Sequence, residues 1–85
     1  MAMARVGRAE LRRLEREVNS LLRNVKIQVG RRYGYYALDF CLAEDYDPVL
    51  GRCEVVRGTL VTGVTGSQMA DILRALREIL TREIE

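Results

Sequence analysis

The stretch "RRYGYYALDF", residues 31–40, decides the fold of this 85-residue chain. Its first half sets two arginines and a tyrosine before a glycine, a composition that can turn the chain. Its second half alternates in side-chain character, as a half-buried strand does. One face of this strand carries Tyr36, Leu38 and Phe40, and the other carries Tyr35, Ala37, Asp39 and Cys41. The apolar face belongs under a helix layer, so the other face is expected to be open.

The flanking segments predict the order helix, strand, strand, strand, helix. Residues 10–23 repeat leucine and valine at helical spacing, and residues 25–29 alternate as a strand. The second strand runs from about residue 35 to 42, an acidic loop follows, and residues 52–62 read as the third strand. A capping-box spacing at "TGSQ", residues 65–68, opens a second amphipathic helix, in which Arg74–Glu78 and Glu78–Arg82 are spaced as ion pairs.

Short connections pair successive strands antiparallel, and two apolar helix stripes need the same sheet face. We therefore expect an α+β fold, a two-layer sandwich in which both helices cover one face of a three-stranded antiparallel sheet. Residues 1–85 form one domain, with residues 1–8 as a candidate flexible basic arm.

Composition narrows the class of protein. With 48% hydrophobic and 31% charged residues and a net charge of +2, the chain reads as globular. Thirteen arginines against one lysine suggest a GC-rich genome or a thermophile. No apolar run approaches the ~20 residues that cross a bilayer, and the first residues lack a signal-peptide core, so a cytoplasmic location is expected, in the host if the gene is viral.

The sequence contains few residues of the types that catalytic sites and metal sites commonly use. There is no histidine, and two cysteines cannot complete a zinc site. We therefore expect no enzyme, no cofactor, no metal and no small-molecule substrate. Cys41 and Cys53 lie symmetrically about a loop centred on Asp47, so they are either a disulfide across a hairpin or buried free thiols.

The sheet face that is predicted to be open has three possible interpretations. It is a dimer interface, a nucleic-acid-binding surface or a solvated surface without a specific role. A mixed aromatic face suits a homodimer interface. The residues predicted for it are Tyr33, Tyr35, Asp39, Val55, Arg57 and Thr59.

A face of arginines and tyrosines also suits nucleic acid, with bases stacked on rings and phosphates held by guanidinium groups. Arg12, Arg16 and Arg23 fall in one sector of the first helix and would extend this surface, joined by Arg5 and Arg8 if the helix begins early. The residues predicted from the sheet are Arg31, Arg32, Tyr33 and Tyr35.

Two resemblances follow from these segments. The element order resembles the double-stranded RNA-binding domain, and "GVTGSQMADILRALREIL", residues 63–80, occupies the place of its second helix. That family begins this helix with lysines where this chain has residues 66–69, and its loop histidine has no counterpart in "GRRYG", so its RNA-binding residues are not carried over. The segments "YGYYAL" and "M..ILRAL" are similar to small bacteriophage and mobile-element proteins, which implies a viral or mobile-element origin.

The sequence thus predicts a small non-enzymatic binding or interaction module that forms a homodimer. The alternative is a nucleic-acid-binding protein that uses the basic helix and the arginine and tyrosine face.

Overall fold

The computed structural model describes residues 7–84, so most of the predicted arm at residues 1–8 lies outside the described part. The elements are α1 (Arg8–Leu21), β1 (Val25–Arg32), β2 (Tyr35–Leu42), a 3-10 turn (Ala43–Asp45), β3 (Tyr46–Asp47), β4 (Arg52–Cys53), β5 (Gly58–Val64) and α2 (Gly66–Ile84). The main sheet has the antiparallel order β1-β2-β5, and both helices pack on one of its faces. The predicted α+β sandwich is confirmed.

The core forms where the two helix stripes meet the predicted apolar face of β2. Leu38 is buried at its centre, and Tyr36 and Phe40 pack at its margins, as the alternation of β2 predicts. Burial of such aliphatic side chains is the main stabilising term in a chain this small. The buried cluster is Leu11, Leu14, Val18, Ile27, Leu38, Met69, Ala70 and Leu73.

The turn between β1 and β2 is a two-residue hairpin. Arg32 pairs with Tyr35, which leaves Tyr33 and Gly34 as the connecting residues. Both have positive φ angles, 54° and 81°, the pattern of the turn whose twist matches antiparallel strands. Glycine adopts this conformation readily, whereas tyrosine rarely does.

The third strand begins later than the sequence predicts. The sequence predicts one continuous strand over residues 52–62, but only Gly58–Val64 pairs with β2, while Arg52–Cys53 pairs with Tyr46–Asp47 in a separate two-stranded sheet. The reason is topological: β4 packs near β1, whereas β5 lies on the other side of β2, so residues 54–57 must cross the sheet between them. The crossing segment contains two adjacent valines, Val55 and Val56, and valine is a residue type that favours strands.

The first helix ends earlier than predicted. It stops at Leu21 rather than Arg23, and the Lys26 ammonium donates to the carbonyls of Asn19 and Leu22 at 2.7 and 2.6 Å. A cation at this position stabilises the negative end of the helix dipole. Arg23 is therefore not helical, and its predicted placement in one helical sector with Arg12 and Arg16 is wrong.

The start of α2 follows prediction. The Thr65 amide donates to the Gln68 side chain at 2.9 Å, and the Gln68 amide donates to the Thr65 hydroxyl at 3.2 Å, which completes the capping box. Neither described helix combines the length and apolar character that crossing a membrane requires.

The ion pairs formed by α2 differ in part from the predicted ones. Glu78 pairs with Arg82 as expected, but Arg74 pairs with Asp71 and with Glu10 of α1 instead of Glu78. Arg77 likewise pairs with Glu17 of α1. The ion pairs therefore join the two helices rather than serving α2 alone.

Candidate nucleic-acid interface

Two polar side chains of α1 close the outer edge of β1. Asn19 donates to the Ile27 carbonyl at 2.9 Å and accepts from the Ile27 amide at 2.8 Å, and Glu15 accepts from the Val29 amide at 2.7 Å. Both side chains belong to buried residues. Edge-strand groups without partners would favour pairing with another chain, so this contact both protects the edge and fixes the rotation of α1 about its axis.

With α1 held in this orientation, three arginines lie in a row on its exposed flank. Arg8, Arg12 and Arg16 are four residues apart, which places them on one side of a helix. All three are exposed, and none of them forms an ion pair within residues 7–84. Four residues of helix rise about 6 Å, so the row extends about 12 Å.

The opposite flank of α1 is neutralised. There Arg13 pairs with Glu10 and Glu17, and the same two carboxylates also bind arginines of α2. Hydrogen bonds from Arg13 and Arg77 respectively are the main reason that the pKa values of Glu10 and Glu17 lie below their ordinary range. The two flanks of one helix therefore differ in net charge.

β1 adds a fourth arginine to the row. Arg31 lines a small cleft of about 60 Å³ together with Arg8 and Arg12. Its guanidinium carbon lies 5.5 Å from the centroid of the Tyr36 ring, within cation–π range. We call Arg8, Arg12, Arg16 and Arg31 the arginine surface.

A wider cleft connects this surface to the hairpin and to the start of α2. It has a volume of about 600 Å³ and is lined by Arg8, Arg31, Tyr35 and residues 65–67, among others. Tyr35 is 53% exposed, and Tyr33, at the hairpin tip, is fully exposed. Arginines and tyrosines that the sequence places far apart are thus brought to one end of the molecule.

The other predicted residues lie elsewhere. Arg23 is exposed beyond the end of α1, whereas Arg32 points to the open sheet face, where its guanidinium donates to Asp39 at 2.7 Å. Thr59 donates to the other oxygen of Asp39 at 2.7 Å. These bonds satisfy the buried carboxylate of Asp39.

The predicted dimer surface is consequently interrupted. Asp39 is buried, so it offers no area to a partner, while Thr59 lies opposite it on β5. Val55 and Arg57 belong to the crossing segment rather than to a strand, and Arg57 lies 3.9 Å from Asp45. Only Tyr33 and Tyr35 of the predicted set remain on an exposed hairpin.

The structure joins Cys41 and Cys53 in a disulfide, with a Cα–Cα distance of 5.9 Å. The register assumed for them is wrong, because Cys41 pairs with Lys26 in β1 and Cys53 with Tyr46 in β3. The bond instead fastens Cys53, just before the crossing segment, to the face of β2 that the sequence predicts to be open, and Ala37, Asp39 and Cys41 of this face are buried. This link covers part of the face that the sequence leaves free.

Sequence reasoning missed the structural role of Glu15 and Asn19. Both lie on the margin of the apolar stripe of α1, next in angle to Leu11 and Leu22. Polar residues at the margin of a buried stripe could have signalled a bond to a neighbouring element. Their partners in β1 were not identifiable without the tertiary fold.

The chain matches no protein-family model, and comparisons with curated proteins and with solved structures find no match.

Glu15 gives the site a pH dependence. Burial raises the pKa of its carboxyl above the ordinary 4.5, while the Val29 amide, Arg12 and Arg16 oppose this rise. A carboxyl whose pKa is raised on folding binds protons more tightly in the folded state, so stability falls as pH rises from the unfolded to the folded pKa. Ionised Glu15 therefore lowers the stability of the fold at neutral pH.

We expect Glu15→Gln to unfold at a higher temperature than the parent at neutral pH, because its amide oxygen can still accept from Val29 without a buried charge. The difference should shrink as pH falls below the ordinary carboxyl pKa of 4.5, because the parent carboxyl then becomes protonated in both the folded and the unfolded state. Thermal unfolding followed by circular dichroism across this pH range checks it. Glu54→Gln, at an exposed position, controls for the lost charge, and a variant less stable than the parent at neutral pH would contradict the account.

Proposed function

We propose that this chain is a non-enzymatic module that binds nucleic acid by its phosphate backbone, using the arginine surface. The observation that carries the proposal is the row of exposed arginines without carboxylate partners among residues 7–84. Guanidinium groups bind phosphate oxygens through two parallel hydrogen bonds, and such contacts account for most sequence-independent affinity. Arginines that already pair with carboxylates have fewer free N–H groups to donate to phosphate oxygens.

The repulsion between like charges on α1 supports this proposal. Like charges four residues apart destabilise a helix by a few tenths of a kcal/mol per pair. On its other flank, the same helix compensates Arg13 with Glu10 and Glu17. Near Arg12 and Arg16 the carboxylate of α1 is Glu15, which acts on both arginines by its charge but is bonded to the Val29 amide and forms no ion pair with either. A polyanionic ligand would supply the ion pairs that the described residues do not.

Tyr33 supplies a second line of support. A residue with a Cβ atom pays roughly 1–2 kcal/mol in the left-handed conformation, and Asn is better tolerated there. Tyr33 is fully exposed, so its ring recovers none of this cost by packing. A ring held at a hairpin tip beside a basic cleft is suited to stacking on an unpaired base.

The first test is the salt dependence of oligonucleotide binding. Four phosphate contacts give a slope of about −3.6 for log K against log salt concentration on duplex DNA. We expect the double variant Arg12→Ala, Arg16→Ala to bind more weakly and to lower this slope to about −1.8. Fluorescence anisotropy with labelled single-stranded and duplex oligonucleotides measures both quantities.

Arg74→Ala with Arg82→Ala is the matched control, since it removes two arginines that are already ion-paired. This control should keep a slope near that of the parent. Absence of salt-dependent binding in the parent, or equal losses in the two double variants, would refute the proposal. Circular dichroism establishes that each variant is folded.

The second test separates the role of Tyr33 in folding from its role in binding. We expect Tyr33→Asn to raise the free energy of unfolding by about 0.5–1 kcal/mol, because asparagine tolerates the left-handed conformation. The same variant should bind single strands about tenfold more weakly, since it loses one stacked base. Tyr33→Phe keeps the ring and should match the parent in both measurements; an Asn variant with undiminished single-strand affinity would exclude stacking.

A further inference from the structure

An apolar groove opens at the end of the sandwich opposite the start of α1. It has a volume of about 320 Å³ and is lined entirely by aliphatic side chains and one phenylalanine. The lining residues are Val18, Leu22, Val25, Ile27, Phe40, Leu60, Leu76 and Leu80. A small chain gains stability by burying such surface, so an open groove of this kind indicates an occupant.

Apolar side chains also project beside the groove. Leu60 is 56% exposed and Ile79 is 57% exposed. Ile79 follows Leu76 by one helical turn and lies on the flank of α2 that faces away from α1, since Arg74 and Arg77 bind α1 from the other flank. The groove and the exposed side chains of Leu60 and Ile79 therefore form one continuous apolar patch.

We infer that a second copy of this chain covers this groove, in a two-fold dimer. A two-fold axis places the same patch of both subunits face to face, so each subunit's Leu60 and Ile79 can enter the other's groove. A patch that carries both a hollow and adjacent apolar projections is self-complementary in this sense. The inference does not depend on nucleic-acid binding.

Strand pairing between copies at the two sheet edges is obstructed. Asn19 and Glu15 occupy the outer edge of β1. The pairing of β5 with β2 shifts twice, between Tyr36 and Leu38 and between Leu38 and Asp39, and such bulges hinder a further strand from pairing in register. Side-chain contact between copies is therefore favoured over strand pairing, and the groove offers a contiguous apolar lining for it.

The charges around the groove are compatible with a like copy. Glu78 and Arg82 form one ion pair on α2, and Arg77 binds Glu17, so charges of both signs border the patch. Arg23, next to Leu22, is exposed at the rim, where salt limits its repulsion. By contrast, Arg8 and Arg12 lie towards the other end of α1, and Arg16 lies about 160° around the helix from the groove residue Val18, so two copies meet without opposing their arginine surfaces.

A stable dimer needs a contact larger than the groove alone. Such interfaces bury about 800 Å² per subunit, with an apolar centre and a polar rim. The groove with Leu60 and Ile79 provides the centre. The exposed outer surface of the last turns of α2 provides the rim.

Light scattering after gel filtration tests the inference with the full chain. We expect a mass of twice 9.7 kDa at micromolar concentrations. Leu60→Glu and Ile79→Glu should each raise the dimer dissociation constant about 30-fold or more, because a carboxylate would be placed at the centre of the interface. Val49→Glu is the matched control: Val49 is 91% exposed at the tip between β3 and β4, and this variant should remain dimeric.

A parent chain that is monomeric at every concentration would overturn the inference, as would a dimer that persists unchanged in both groove variants. A monomer that binds a fluorescent fatty acid, and loses that binding in Leu60→Glu, would assign the groove to a small apolar ligand and would equally overturn it. Oligonucleotide titration of Leu60→Glu keeps the two proposals apart, since the arginine surface is intact in this variant.

Discussion

The contact between Asn19 and the outer edge of β1 is the constraint on which the rest of the structure depends. One amide side chain satisfies both the carbonyl and the amide of Ile27, and Glu15 extends the contact by one strand repeat to Val29. Because these bonds come from one flank of α1, they set the rotation of the helix. The core leucines then face the sheet, and the arginines four residues apart face solvent.

This constraint also explains why the two flanks of α1 differ in net charge. The flank towards α2 carries Glu10 and Glu17, which bind arginines from both helices. The flank towards β1 commits its one carboxylate, Glu15, to a backbone amide, so Arg12 and Arg16 are left without an ion pair within residues 7–84. Burial raises the pKa of Glu15, so the fold accommodates its ionised carboxylate less well than its neutral form, and Arg12 and Arg16 on either side of it are exposed.

The spacing of apolar and polar residues was sufficient to predict those parts of the fold that depend on residues close together in the sequence. The alternation of residues 35–42 predicted which face of β2 meets the helices, but the other face, predicted to be open, is buried at Ala37, Asp39 and Cys41. The helical stripes predicted that both helices lie on the first face. The capping box at Thr65 was also predictable, because Thr65 and Gln68, three residues apart, bind each other. Each of these features needs only the chain within one element and its neighbours.

The candidate site was predictable only in part, because its decisive contacts are distant in sequence. Arg12, Arg16 and Arg31 could be proposed from charge, but burial of Asp39 depends on Arg32 and Thr59 together. The position of Arg23 depends on where Lys26 ends the helix, and the crossing segment depends on which side of β2 accepts β5. Helix and strand periods contain no information on these choices.

Amide hydrogen exchange at Ile27 and Val29, followed by nuclear magnetic resonance, tests the central claim most directly. Both amides point away from β2 towards the outer edge of the sheet, so only Asn19 and Glu15 can protect them. We predict exchange as slow as that of Lys26 and Gln28, and faster exchange at Ile27 in Asn19→Ala. Rapid exchange of Ile27 and Val29 in the parent chain would show that α1 does not close this edge, and would contradict the account.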